Sequence, residues 1–111
     1  MKLDANSRQM LAIMSCHGDY IESLFSAVFL ASGYTKEDIL STSRARTIVW
    51  SRMILAHKLE DRICNLSAIG GILNRDHATV IHWRQMFEDM YMIDAQFKQF
   101  YDRFERIYSQ Q

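Results

Sequence analysis

The chain has 111 residues, 49% of them hydrophobic and 23% charged, with no proline, four glycines and a formal net charge of zero. That length suits one domain with one modest core, and that composition favours helices and argues against sandwiches and barrels. The longest apolar run, AVFLA, is far too short to span a bilayer. The opening MKLDANSRQ lacks the apolar segment of a signal peptide. Cys16 and Cys64 stand outside any CxxC pattern, so the expectation is reduced thiols in a cytoplasmic protein.

The zero net charge is unevenly distributed. Residues 1–40 carry three basic and five acidic side chains, residues 41–87 seven and three, and residues 88–111 three and five. A basic middle between acidic ends is compatible with one phosphate-facing surface. A mixed solvated surface gives the same count.

Taken in order, DANSRQMLAIMSCH reads as a first helix with Leu3, Met10 and Met14 on one side, broken at HGD. YIESLFSAVFLASG follows as a second helix. Its stripe is Tyr20, Ile21, Leu24, Phe25, Val28 and Phe29, and Gly33 suits its C-cap. TKEDIL has a threonine cap and an acidic first turn, the signature of a short helix.

SRARTIVWSRMILAHKLEDRI is the longest segment expected to be helical. Ala45, Ile48, Val49, Leu55, Ala56, Leu59 and Ile63 share its apolar arc, with Arg44, Ser51, Lys58 and Arg62 on one flank. Arg52 falls inside the apolar arc, where it needs an acidic partner or must reach an anion at the core edge.

NLSAIGGIL is a two-turn apolar segment opening near Asn65, and NR breaks it. DHATVIHWRQMFEDMYM resumes helical periodicity, with Asp76 at its N-terminus, where a carboxylate is favoured. Val80, Trp83, Phe87, Met90 and Tyr91 form its buried stripe. His77, Ala78, Ile81, Arg84 and Gln85 point away. The last segment, DAQFKQFYDRFERIYSQ, carries Phe97, Phe100, Tyr101, Phe104, Ile107 and Tyr108, a stripe suited to a core or a dimer seam.

Three chemistries compete for the cluster Arg75-Asp76-His77. A metal site is disfavoured because His77 and His82, five apart, lie about 140° apart around a helix, and Cys16-His17 is only an adjacent pair. Catalysis is disfavoured because Asp76 and His77 diverge, no nucleophile is placed beside them, and no glycine-rich phosphate loop is present. No enzyme activity and no cofactor are therefore expected. The third chemistry is DNA binding. A short helix, a tight break and a longer amphipathic helix make a helix-turn-helix pattern, which also occurs in plain helical bundles. The outward face of the second helix suits base edges. Arg75 and His77 can donate to guanine, Asp76 can accept from cytosine, and Ala78 and Ile81 offer apolar contact to thymine methyls.

The stretch ILSTSRARTIVWSRMILAHKL, followed by NLSAIGGILNRDHATVIHWRQM, resembles the C-terminal DNA-binding domain of the bacterial chromosomal replication initiator DnaA. That family reads S-x-x-R-x-R, then A-R-Q, then S-L-P-E-I-G, then G-G-R-D-H-T-T-V-x-H. The resemblance covers about residues 20–92. It implies an all-α, single-domain bundle holding a helix-turn-helix of the Trp-repressor-like type. A helical extension over 1–19 would precede it, and an aromatic-rich helix over 93–111 would pack on it.

The resemblance also implies roles. Arg44 matches the arginine that enters the minor groove, and Arg46 a backbone contact. Arg52 matches the arginine of A-R-Q, at the phosphates, and Lys58 lies near a major-groove lysine. Arg75, Asp76, His77, Ala78 and Thr79 match the major-groove reader with its phosphate contacts, and His82 matches the second histidine. The sequence departs from the pattern at LNRDH, one residue shorter than F-G-G-R-D-H, and at Ala78, which lacks the hydroxyl of the first threonine.

The expected function is sequence-specific binding of double-stranded DNA in replication control or transcription regulation, in the cytoplasm at the nucleoid. The expectation is a free-standing DNA-binding unit that uses no nucleotide and no membrane. The alternative is a protein-interaction module, in which the terminal helices hold a partner or a second copy.

Overall fold

The computed structural model describes residues 5–111, with the side chains of residues 5–7, 9, 10 and 14 outside the description. The expected stripe of Leu3, Met10 and Met14 lies outside the described residues. Among the described residues six helices follow one another, joined by short connections.

Helix α1 runs from Ala5 to Ser32 without interruption. The break expected at HGD does not occur. A glycine inside a helix costs about 1 kcal/mol, and no proline is there to remove a hydrogen bond. Gly18 sits in open space, with nothing within 4 Å of where a Cβ would stand. The second half of α1 buries Tyr20, Ile21, Leu24, Phe25, Ala27, Val28 and Ala31. Phe29, expected in that stripe, is 49% exposed. The helix ends as read: Gly33 takes φ +82, and its N–H donates to Phe29 O at 2.7 Å.

Helix α2, Lys36–Leu40, opens with a capping box. Thr35 Oγ1 accepts from Asp38 N at 3.2 Å, and Asp38 Oδ2 accepts from Thr35 N at 2.9 Å. Helix α3, Arg46–Leu59, is the centre of the molecule and packs against α1 and α2. It also meets α4, Leu66–Leu73, and α5, His77–Ile93. Two readings of this segment change. It is half the length of α1, and the flank read for Arg44, Ser51, Lys58 and Arg62 is broken up, with Ser51 buried and Lys58 half-buried on the helix and Arg44 and Arg62 outside it. Ser51 is fully buried, whereas Ala45 is exposed and precedes the helix. Arg44 lies in the connection from 41 to 45.

Helix α6, Ala95–Ser109, is started by Asp94, whose Oδ1 accepts from Gln96 N at 2.9 Å and Phe97 N at 3.1 Å. Its aromatic stripe goes to the core. Phe97 and Phe104 are fully buried, and Phe97 meets Trp50 and Phe87 edge-on at 5.6 and 5.5 Å between centroids. Truncating such a ring typically costs about 3–5 kcal/mol, so α6 is an integral part of the fold. It packs along α1 and α5.

Candidate nucleic-acid interface

The α4–α5 turn is built by three local devices. Asn65 Oδ1 caps α4 by accepting from Ala68 N at 3.0 Å. Asn74 ends it in the left-handed conformation, φ 57, which asparagine tolerates better than most residues. Asp76 then starts α5, its Oδ1 accepting from Thr79 N at 2.8 Å and Thr79 Oγ1 at 2.7 Å. Those two donors, the hydroxyl foremost, hold the Asp76 carboxyl below its ordinary value. Arg75 N donates to Gly70 O at 2.7 Å. The turn presses on α4 so closely that a Cβ on Gly70 would lie 2.5 Å from Arg75 O. Only glycine admits that approach.

The turn presents the first residues of α5 to solvent. Asp76, His77, Ala78 and His82 are exposed, Thr79 and Ile81 half-buried. Val80, Trp83 and Phe87 are buried on the opposite side, with Met90 and Tyr91 packed against the core. Arg84 is exposed but leans on Glu60 at 3.5 Å.

Beside the start of α5 lies an open cleft of about 380 Å³. Arg44 and Thr42 from the α2–α3 connection line it, together with Arg52, Arg75 and Thr79, over a floor that includes Trp83. Three arginines and two threonines line it, and no acidic residue does. Its electrostatics favour an anion.

The eleven expected contact residues do not share one fate. Arg44, Asp76, His77, Ala78, Thr79, Ile81 and His82 gather around the cleft and the start of α5. Arg52 is corrected as a direct phosphate contact. It is 2% exposed, and its guanidinium donates to the carbonyls of Ile39 at 2.7 Å, Ser43 at 2.6 Å and Ser41 at 2.8 Å. Neither an acid nor an external anion is needed, since backbone oxygens satisfy it. Burial, then repulsion from Arg75, lowers its pKa. Arg75 is likewise turned inward from base-reading range, donating to Ser41 O at 2.5 Å and Asn74 O at 2.8 Å. It straps the α4–α5 turn to the α2–α3 connection.

Lys58 is corrected more fully. It is only 14% exposed, paired with Glu105 of α6 and set near the Tyr101 and Tyr108 rings. Helix α6 covers the flank on which it was expected to be free. Arg46 is exposed, stacked 4.8 Å from the Trp50 centroid and paired with Asp94 at 3.2 Å. Sequence reasoning missed Thr42 as a cleft residue and Gly70 as the seat of the turn. A connection has no periodicity to betray Thr42. Gly70 carried a signal, as a glycine inside an apolar helix marks a close approach.

The comparisons bear on this geometry. A family model described as bacterial dnaA protein helix-turn-helix matches residues 21–86, more than half of the chain. The chain belongs to the bacterial DnaA helix-turn-helix family. Searches of curated proteins and of solved structures find no match. The DnaA-type match begins inside α1 and ends inside α5. It contains the cleft and the α4–α5 turn, and it excludes α6. Membership makes this a DNA-binding domain with an all-α fold. No described helix is long and apolar enough to cross a membrane.

Proposed function

We propose that this chain binds double-stranded DNA with sequence preference, laying the start of α5 in the major groove and Arg44 in the minor groove. The observation that carries the reading is the arginine-lined cleft beside an exposed helix start. Phosphates would seat against Arg44 and the Thr42 hydroxyl, with Arg52 and Arg75 adding charge from below. Such contacts set register and carry no sequence information. Base reading falls to Asp76, His77, Ala78 and His82, with Ile81 as an apolar contact for a thymine methyl. Arg46 is available to the backbone whenever it leaves Asp94. The biological role under this reading is replication control or transcription regulation, in the cytoplasm at the nucleoid. It calls for no catalytic step, nucleotide or cofactor.

The decisive experiment measures affinity for an A·T-rich initiator-type duplex and for its scrambled counterpart at near-physiological salt. Tighter binding to the first is expected, together with a fall in affinity as salt rises. His77→Ala should relax base preference by about 1–3 kcal/mol, and Arg44→Ala should reduce the salt slope. Equal affinity for both duplexes would sink the sequence-specific claim.

A second reading is a homodimer or a protein partner held through the terminal helices. Leu11, Phe29 and Leu30, exposed apolar side chains of α1, favour it. A chain of that kind flows through immobilised DNA at low salt.

A further inference from the structure

Cys16 and Cys64 come from distant parts of the chain, one on α1 and the other in the α3–α4 connection. Both thiols are free and exposed. Both line one open cavity of about 320 Å³, which lies apart from the arginine-lined cleft and shares no residue with it. His17 and Arg62 also line this cavity, and no carboxylate does. Arg62 is steadied there, its guanidinium 4.3 Å from the Tyr20 ring centroid.

We propose that Cys16 and Cys64 form a thiol–disulfide exchange site that closes an intramolecular disulfide at the expense of a small disulfide. The attacking species in such exchange is a thiolate. Exposure gives a small reagent access to either sulfur. In the first step one cysteine thiolate attacks a sulfur of the reagent, forming a mixed disulfide and releasing one reagent thiolate. In the second step the other cysteine thiolate attacks the protein sulfur of that mixed disulfide, and the second reagent thiolate leaves. Two protein thiols and one small disulfide thus become one protein disulfide and two small thiols. Metal binding is the less fitting use, because the described residues contain no group of three or more His, Cys, Asp or Glu side chains able to hold an ion.

A disulfide needs Cα atoms about 5.5 Å apart, so closure would pin the two walls of the cavity at that separation. Cys64 immediately precedes Asn65, whose side chain caps α4. The bond would therefore tie α1 to the start of the first helix of the helix-turn-helix, making this a redox-responsive joint on the DNA-binding unit.

The test incubates the reduced full chain with glutathione disulfide, followed by intact mass and peptide mapping without reductant. The chain is expected to lose two hydrogens and to yield a Cys16–Cys64 linked peptide. Cys16→Ser and Cys64→Ser should each stop at one stable glutathione adduct. Three results would overturn the proposal: two stable adducts on one unmodified-sequence chain, exclusively intermolecular disulfides, or no reaction. Hydrogen exchange supplies a second readout. Slower exchange in α1 before Gly18 on oxidation is expected, and an unchanged pattern would remove the joint.

Discussion

Arg52 and Arg75 share an acceptor: the Ser41 carbonyl takes Arg52 Nη2 at 2.8 Å and Arg75 Nη2 at 2.5 Å. Two cations thus converge on one backbone oxygen, and both residues line the cleft. Like charges so close repel, which lowers the Arg52 pKa on top of burial. The three carbonyls around Arg52 offset that repulsion. The arrangement places positive charge at the cleft and fixes the α2–α3 connection, from which Arg44 projects, in one operation.

Arg52→Met tests the structural half of that role. The substitution keeps much of the volume but removes every donor to the Ile39 and Ser43 carbonyls. Unsatisfied buried acceptors cost about 1–3 kcal/mol each, so a loss of roughly 3 kcal/mol is expected. The urea midpoint measures it, and an unchanged midpoint would show that water replaces the guanidinium freely.

Gly70→Ala tests the turn. The new Cβ meets the Arg75 carbonyl oxygen at 2.5 Å, and that oxygen belongs to backbone that cannot swing aside. Either α4 or the start of α5 must shift. A loss of about 2–3 kcal/mol is expected, read by thermal melting, along with weaker DNA binding as the α5 residues are displaced. A variant with wild-type melting would mean that the turn relaxes without strain.

Lys58→Met separates the corrected placement from the expected one. If Lys58 belongs to α6, DNA affinity stays at the wild-type level, while stability falls by about 1–2 kcal/mol because Glu105 loses its partner. Fluorescence anisotropy with labelled duplex and urea denaturation give the two readouts. Weaker DNA binding at unchanged stability would restore Lys58 to the interface.

His57 predicts a pH dependence. Its ring lies flat on Phe87, 3.8 Å between centroids. Burial, the largest influence, holds its pKa below the ordinary 6.5, with Lys58 acting in the same direction and Asp61, Glu60 and Glu105 opposing. The unfolded chain therefore takes up this proton at a higher pH than the folded one. The stability contribution is present above pH 6.5 and is lost as pH falls through the folded value. His57→Phe keeps an aromatic ring against Phe87 without titrating. Its urea midpoint should fall less steeply than wild type below pH 6.5, and parallel curves would assign the acid sensitivity elsewhere.

Much of the site was legible because its local parts are short-range. The Thr35 box, the Asn65 and Asp76 caps and the left-handed Gly33 each depend on residues within about four positions. The order of short helix, break and reader helix followed from these caps. The HGD break was misread because a single glycine weakens a helix less than tertiary packing of its flanks supports it. Arg52 could be flagged as anomalous from its place in the apolar arc, yet its acceptors lie nine to thirteen positions away. Such loop carbonyls leave no mark in side-chain patterning.

By itself, the sequence determined the helical class, most helix ends, the helix-turn-helix and the identity of the exposed residues at the start of α5. Periodicity and capping are set by the chain's own neighbours. Only the tertiary structure decided which basic residues remain free. Arg52 and Arg75 turn to backbone carbonyls, Lys58 goes to α6, Arg46 pairs with Asp94, and Arg44 stays exposed. The physical reason is reach: a long cationic side chain can satisfy its charge in several directions, and the neighbours that fill those directions come from distant segments.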